Sequence, residues 1–491
     1  MSKQDKKELR QQIACEWLEE NYLNYGSLRH DVVTDRLQIR MADSLEDGSA
    51  YSLEFRGKEN WRNLTDKDIN TMVCQCVAEK GVNISTNEMW TALKSDMVPA
   101  VHPLRAWLDG LRPYTADQPD WIDMVASQVH VRESALDNGR GNAAMGRSQS
   151  ELLDGTKCLL DNAPHSEASY SPQSGRPIGG TPSHSPKGAS SGSSADRLWR
   201  GCFKKWFVAM VASWMKDEVV NHTVLVLVGR QGIFKTTWLD NLIPPELRAY
   251  SSKLPLSGQI SKDDRLRLCE NGMLNIDELD AMCGRELNIV KSLLTSTDVN
   301  ERAAYGRLKE RRVRLASFCA STNKREFLTD ITGNRRWLPF EIESIQNPFH
   351  TTIPYEHIYA QAKALVEEGY FAYWFDMEEM EVLEAHNEEF RAQENEEELL
   401  PILFDMPAEG KGEFMTTAEI SDRLVTYGGI KRPMSIRQLG MLLSKKGFEK
   451  KQVYLSGSTV RGWMVYKRDT DEITLAKKRE VDYASMQPSN D

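Results

Sequence analysis

Lys235 and Thr236 close the segment Thr223-Val-Leu-Val-Leu-Val-Gly229-Arg-Gln-Gly232-Ile-Phe. An apolar strand, a glycine-containing turn, then a lysine and a hydroxyl opening a helix is an arrangement that cradles nucleotide phosphates. Backbone N–H groups of such a loop point at phosphate oxygens. Lys235 would reach the β- and γ-phosphates, and the Thr236 hydroxyl would coordinate Mg²⁺. Gly229, Gly232, Lys235, Thr236 and Thr237 form the expected nucleotide-binding set. The segment departs from G-x-x-x-x-G-K-[ST] at one place, because Phe234 stands where the pattern has glycine. A side chain there restricts the backbone and crowds the phosphates. The loop is expected to work if Phe234 keeps a helical conformation and turns its ring away.

Two further strands must position partners for that loop. Gly272-Met-Leu-Asn-Ile-Asp277-Glu278 is an apolar strand ending in adjacent carboxylates. Asp277 is expected to hold Mg²⁺, and Glu278 to act as general base toward the attacking water. A solvated acidic turn is the plainer alternative. Val313-Arg-Leu-Ala-Ser-Phe-Cys-Ala-Ser-Thr-Asn323 is a third strand, ending in an amide that would sense the γ-phosphate or simply make a turn. Arg335 and Arg336 follow in a Gly-Asn turn, as stabilisers of phosphate charge in cis or from a neighbouring subunit, or as surface arginines.

These pieces, in this order, resemble the virulence-associated protein E family over about residues 196–345. The phrase Ser321-Thr-Asn-Lys-Arg-Glu-Phe-Leu-Thr-Asp-Ile-Thr-Gly-Asn-Arg-Arg-Trp is its most specific part, and His102-Pro-Leu-Arg-Ala-Trp-Leu-Asp-Gly-Leu looks like its lead-in. The family groups with replication ATPases like the superfamily-three helicases of phages and plasmids, within the ring-forming ATPase class. The resemblance implies ATP and Mg²⁺ as ligands, single-stranded DNA in a pore, a homo-oligomer with a ring as one form, and a role in replicating a mobile genetic element. The family pattern expects glycine at the Phe234 position.

Charge is distributed unevenly. The whole chain carries a net −10, which excludes a uniformly basic nucleic-acid coat. Arg302, Arg307, Lys309, Arg311, Arg312 and Arg314 nevertheless cluster around a turn at Tyr305-Gly306, and a hairpin there would grip a DNA backbone. A solvated charged hairpin is the alternative. The run 376–398 holds eleven acids and one arginine and reads as an exposed acidic helix or tether. Residues 411–468 reverse the sign, with twelve basic and four acidic residues. Their order is capped helix from Thr416, capped helix from Ser435, then a hairpin. That is a winged-helix-like layout, with Arg437, Lys445, Lys446, Lys450 and Lys451 directed at DNA. A helical cap on the ATPase is the other reading.

The fold class expected is α/β: a P-loop (AAA+-like) ATPase core, an N-terminal α+β region and a C-terminal winged-helix-like domain. Residues 1–131 are the α+β region, with helices capped by Thr65/Asp68 and Ser85/Glu88. Residues 132–195 are a linker, since twenty of the 31 residues from Pro164 to Ser194 are Ser, Gly or Pro and can bury no core. Such a linker implies that the N-terminal part moves independently. Residues 196–375 are the ATPase, 376–410 an acidic connector, 411–468 the basic domain and 469–491 a polar tail. Absence of a long apolar run or a secretory leader, with scattered cysteines, points to a cytoplasmic protein without a membrane span. Cys74 and Cys76 lie two apart on a helix and so face different sides. Three functions fit: a DNA motor or remodeller, a nucleotide-gated DNA-binding protein with little hydrolysis, and an assembly factor.

Overall fold

The computed structural model describes residues 3–40, 61–133, 193–254, 261–276, 279, 284–301, 310–328, 334–392, 395–407, 412–430, 433–455 and 458–476. The chain divides into two units, Met1–Asn323 with Trp337–Met380, and Lys324–Arg336 with Glu381–Asp491. No helix among the described residues is long and apolar enough to cross a membrane.

The first unit begins with a small sheet. Strands β1 (Leu28–Asp31), β2 (Arg36–Arg40), β3 (Trp61–Asn63) and β4 (Ala100–Val101) stand in the order β3-β2-β1-β4. β1 and β2 pair antiparallel, with Leu28 opposite Ile39. Helices Lys3–Leu18, Asp66–Lys80 and Thr86–Leu93 bury Trp17, Leu18, Ile69, Met72, Met89 and Leu93 in one cluster with Leu28. The Thr65/Asp68 and Ser85/Glu88 capping boxes are both present. Cys74 is exposed and Cys76 buried, on opposite sides of their helix.

Strands β5 (Val129–Val131), β6 (Val224–Val228), β7 (Ser251–Lys253) and β8 (Met273–Ile276) precede a two-stranded ribbon of β9 (Asp298–Glu301) and β10 (Glu310–Val313). After β11 (Ser317–Thr322) and β12 (Trp337–Ile345), the main sheet closes in the order β5-β12-β6-β11-β8-β7. All its pairings are parallel except β5 against β12. Every residue of β6, β8 and β11 is buried, as expected for a parallel sheet covered on both faces. Helix Ser194–Met215 lies against it and pins it through indole donors. Trp206 Nε1 donates to Phe318 O at 3.0 Å and Trp214 Nε1 to Gly272 O at 3.1 Å. Gly272 is required there, because a Cβ would come within 2.7 Å of the Trp214 ring.

The N-terminal region is not independent of this sheet. β5 belongs to it. Lys204 pairs with Asp120 at 2.6 Å, Arg200 with Asp123 at 2.8 Å, and Arg105 with Asp217. The Tyr250 hydroxyl donates to buried Asp31 at 2.9 Å. These contacts hold both sheets in one unit, whatever the composition between them. The expected linker, 132–195, lies outside the described residues except at its two ends, as do residues 477–491 of the tail.

His102 caps helix Pro103–Asp109, its Nδ1 accepting from Arg105 N at 3.3 Å. Burial, and then the Arg105 charge, pull its pKa from 6.5 down to about 4. Protons therefore bind the unfolded chain first as pH falls, so stability is constant above 6.5 and declines between 6.5 and about 4. His102→Asn keeps a capping acceptor that cannot protonate. The variant is expected to lose less stability than the wild type between pH 7 and pH 5, read as urea midpoints; equal losses would discard this assignment.

In the second unit, β13 (Phe404–Asp405), β14 (Glu413–Met415) and β15 (Glu449–Leu455) all pair antiparallel with β16 (Ser458–Lys467). Helices Asn395–Leu403, Thr417–Gly428 and Ile436–Lys445 bury Leu400, Leu403, Ile420, Leu424, Leu439, Leu442 and Leu443 against Trp463 and Val465. Both expected capping boxes, Thr416/Glu419 and Ser435/Gln438, form. The acidic run is not a simple exposed tether. Glu396 and Glu397 are buried. Glu396 accepts from Met434 N at 2.6 Å, and Glu397 holds Arg391 through bonds of 2.6 and 2.7 Å.

Candidate nucleotide site

The carboxyl ends of β6 and β11 build the site. Val228 pairs with Thr322, so the chain leaves both strands at one level, into Gly229 and Asn323. Gly229 N donates to Thr322 O at 3.1 Å. Gly229 has φ 157° and its Cβ position lies 2.8 Å from Ile342 O, so only glycine fits. Gly232 has φ 86°. Helix Lys235–Asp240 then starts with Trp238 N donating to Phe234 O.

Lys235 is 7% exposed and its ammonium turns into the loop. It donates to Gly229 O and Arg230 O, each at 2.6 Å, and to Asn323 Oδ1 at 3.0 Å. Thr236 Oγ1 lies 3.0 Å from Ser321 Oγ. The loop lysine and the strand-end asparagine, 88 residues apart, thus share a hydrogen bond. Ser321 was missed by sequence reasoning. Its signal was available, since it lies two residues before Asn323 on a strand and so on the same face. Thr237 is half-buried in the first helical turn.

Phe234 is not right-handed helical, contrary to expectation. Its φ of 66° and ψ of 18° are left-handed, the region glycine occupies at little cost. The loop keeps a glycine-like backbone, at a strain of about 1–2 kcal/mol for a side-chain-bearing residue. The ring does turn aside, edge-on to Phe349 with centroids 6.1 Å apart. Phe234→Gly is therefore expected to be more stable than Phe234→Ala by about 1 kcal/mol, the reverse of the usual helical order. Urea denaturation of the two variants checks this; an alanine variant of equal or greater stability would contradict the strained conformation.

Residues 189–392 match the virulence-associated protein E-like domain. No curated protein matches the chain. Matching solved structures include the apo NrS-1 C-terminal region (305–718), at 12% identity over 90% of this chain and 97% of that one, with a TM-score of 0.38. Another is the Aeropyrum pernix Orc1 protein in complex with DNA, at 13% identity over 58% and 93%, with a TM-score of 0.17.

The other expected residues are more scattered. Asp277, Glu278, Arg302, Arg307 and Lys309 lie outside the described residues. β8, which leads to the acid pair, ends at Ile276 level with Ala320 of β11. Arg335 is exposed and Arg336 half-buried, in a turn of the second unit where Asn387 Nδ2 donates to Asn334 O at 2.8 Å. Arg311 is exposed and pairs with Asp298 at 2.6 Å. Arg312 turns inward to Glu270 at 3.4 Å and to the Val33 carbonyl. Arg314 is fully buried and cannot reach a nucleic acid.

Beyond the domain, Arg437 and Lys451 are exposed. Lys450 lies over the Trp463 ring at 5.0 Å. Lys445 pairs with Glu388 at 2.7 Å, and Lys446 with Glu397 at 3.5 Å. Lys445 and Lys446 are thus not simply solvated, though such half-exposed pairs are worth about 0–1 kcal/mol.

Proposed function

We propose that the protein hydrolyses ATP to move on or remodel DNA during replication of a mobile genetic element. The observation that carries this reading is the meeting of Lys235 with Asn323 at the carboxyl edge of a parallel sheet, where such sheets bind ligands. The residues present fit a triphosphate. A concave loop with three positive-φ residues surrounds a buried ammonium, and the Thr236 hydroxyl stands beside it. Lys235 would neutralise the β- and γ-phosphates, and Asn323 would register the γ-phosphate. Thr236 and Asp277 would hold Mg²⁺, which when bound offsets charge on the leaving phosphate oxygens. Glu278 would take a proton from the attacking water, and Arg335 or Arg336 would stabilise developing charge, in cis or from a neighbour in a ring.

Helices Thr417–Gly428 and Ile436–Lys445 followed by the β15–β16 hairpin support a winged-helix-like DNA module. Arg437 and Lys451 would contact phosphates directly, and Lys445 and Lys446 by exchanging carboxylate for phosphate. Steady-state ATP turnover with and without single-stranded DNA tests the proposal. DNA-stimulated turnover that disappears in Glu278→Gln is expected. DNA binding without turnover would replace it with a nucleotide-gated binder, the reading favoured by Phe234 standing where the pattern has glycine. Neither activity would leave only an assembly role. Mass measurement with ATP present tests the ring, and a strict monomer removes the arginine acting in trans.

A further inference from the structure

Phe349 stands at the mouth of the same loop and is 77% exposed. It follows β12, which runs parallel to β6 with Glu341 opposite Val228. β12 runs four residues past that level, to Ile345, and the turn after it brings Phe349 back against Phe234 of the loop, with ring centroids 6.1 Å apart. Asn347 fixes that turn. Its Oδ1 accepts from Phe349 N at 3.0 Å, and its carbonyl accepts from His350 N at 2.9 Å and Thr351 N at 3.1 Å. Phe349 is thus placed by backbone bonds rather than by burial of its ring. The ring meets Phe234 edge-to-face, at an interplanar angle of 84°. An aromatic pair of this geometry leaves a flat π-face open on the exposed member.

We propose that Phe349, braced by Phe234, is the stacking platform for the base of a bound nucleoside triphosphate. The inference rests on the phosphate-loop reading. A triphosphate seated on residues 229–236 must place its ribose and base beside the loop. Of the groups there, Phe349 combines a planar apolar face with high exposure. Stacking is tolerant of base identity, because every base has a π-face. The platform would therefore accept ATP and GTP alike and leave discrimination to other groups.

The test titrates the full-length chain, with Mg²⁺, against ATP, GTP and inorganic tripolyphosphate. Because Phe349 is exposed, Phe349→Ala is expected to fold normally. It should weaken ATP and GTP about tenfold, in line with the cost of losing one base–aromatic stack, and leave tripolyphosphate unchanged. Phe349→Trp should restore nucleotide affinity. Unchanged ATP affinity in the alanine variant overturns the proposal. So does a parallel loss for tripolyphosphate, which would mean that the ring only props the loop, and so does a selective loss of DNA binding or of self-association. If the wild type binds neither ATP nor tripolyphosphate, the phosphate-loop reading itself has failed and the platform falls with it.

Discussion

Lys235→Ala is expected to lower ATP turnover by about 10²–10³-fold, the usual cost of removing one preorganised donor to developing oxyanion charge. The geometry makes the effect compound. The ammonium joins both sides of the site, two loop carbonyls on one and Asn323 on the other. Alanine removes the cation and also leaves the Gly229 and Arg230 carbonyls without this donor. Gly229 is half-buried and Arg230 exposed, so water can take up these acceptors and stability should fall by only about 1 kcal/mol. Lys235→Arg separates the two effects. A guanidinium keeps the charge, but its planar fork is a different shape from an ammonium. It should recover more of the stability than of the turnover. Urea midpoints beside steady-state rates make the comparison. Turnover in Lys235→Ala within a few-fold of wild type would remove the lysine from the phosphates and the proposed chemistry with it.

The parts of this site that sequence makes legible are those whose causes are local. β6 is buried on both faces and reads as an unbroken apolar run, while β8 and β11 read as mainly apolar runs that also hold Asn275 and Ser317. The capping boxes at Thr65, Ser85, Thr416 and Ser435 are four-residue signals, and each is satisfied within its own turn. What stayed hidden depends on partners distant in sequence. Three residues of β5 carry no strand signal of their own; they extend because β12 offers an edge. Phe234 adopts a conformation disfavoured for its type, which the surrounding strand ends and helix impose. Glu397 looks solvated in a run of acids, but Arg391, six residues earlier, draws it into the interior. Charge patterning misplaces Arg314 in the same way, as one more cation of a basic hairpin.

Arg314→Met is accordingly expected to destabilise the first unit by about 3–5 kcal/mol, because it leaves buried backbone carbonyls without their donor. The guanidinium is unusual in its acceptors. Arg314 Nη1 donates to Leu293 O at 2.9 Å, Leu294 O at 2.8 Å and Ser296 O at 3.3 Å; Nε donates to Ala316 O at 3.2 Å and Nη2 to Asn221 O. Leu293 and Leu294 are in the last turn of helix Gly284–Thr295, whose terminal carbonyls have no intrahelical donors and carry the negative end of the dipole. The helix end thus takes the part of a carboxylate. Methionine fills similar volume and relieves the burial of a charge, which works in its favour. Against this, it takes a donor from five carbonyls; Leu293 O keeps Ser296 N and Leu294 O keeps His222 Nδ1, and the other three cost about 1–3 kcal/mol for each that stays dry, the larger effect. Arg314→Lys should fall between, since an ammonium has three donors and no fork. The consequence for function is indirect. Asn221 lies two residues before Thr223, and β11 starts three residues after Arg314, so the guanidinium braces the starts of the two strands that carry Lys235 and Asn323 to one edge. Urea unfolding gives the magnitude. DNA affinity gives the contrast: Arg311→Ala should reduce binding and its salt dependence, whereas Arg314→Met, measured where it is folded, should alter neither. An Arg314→Met protein as stable as wild type, but defective in DNA binding, would return this residue to the surface role its sequence neighbours suggest.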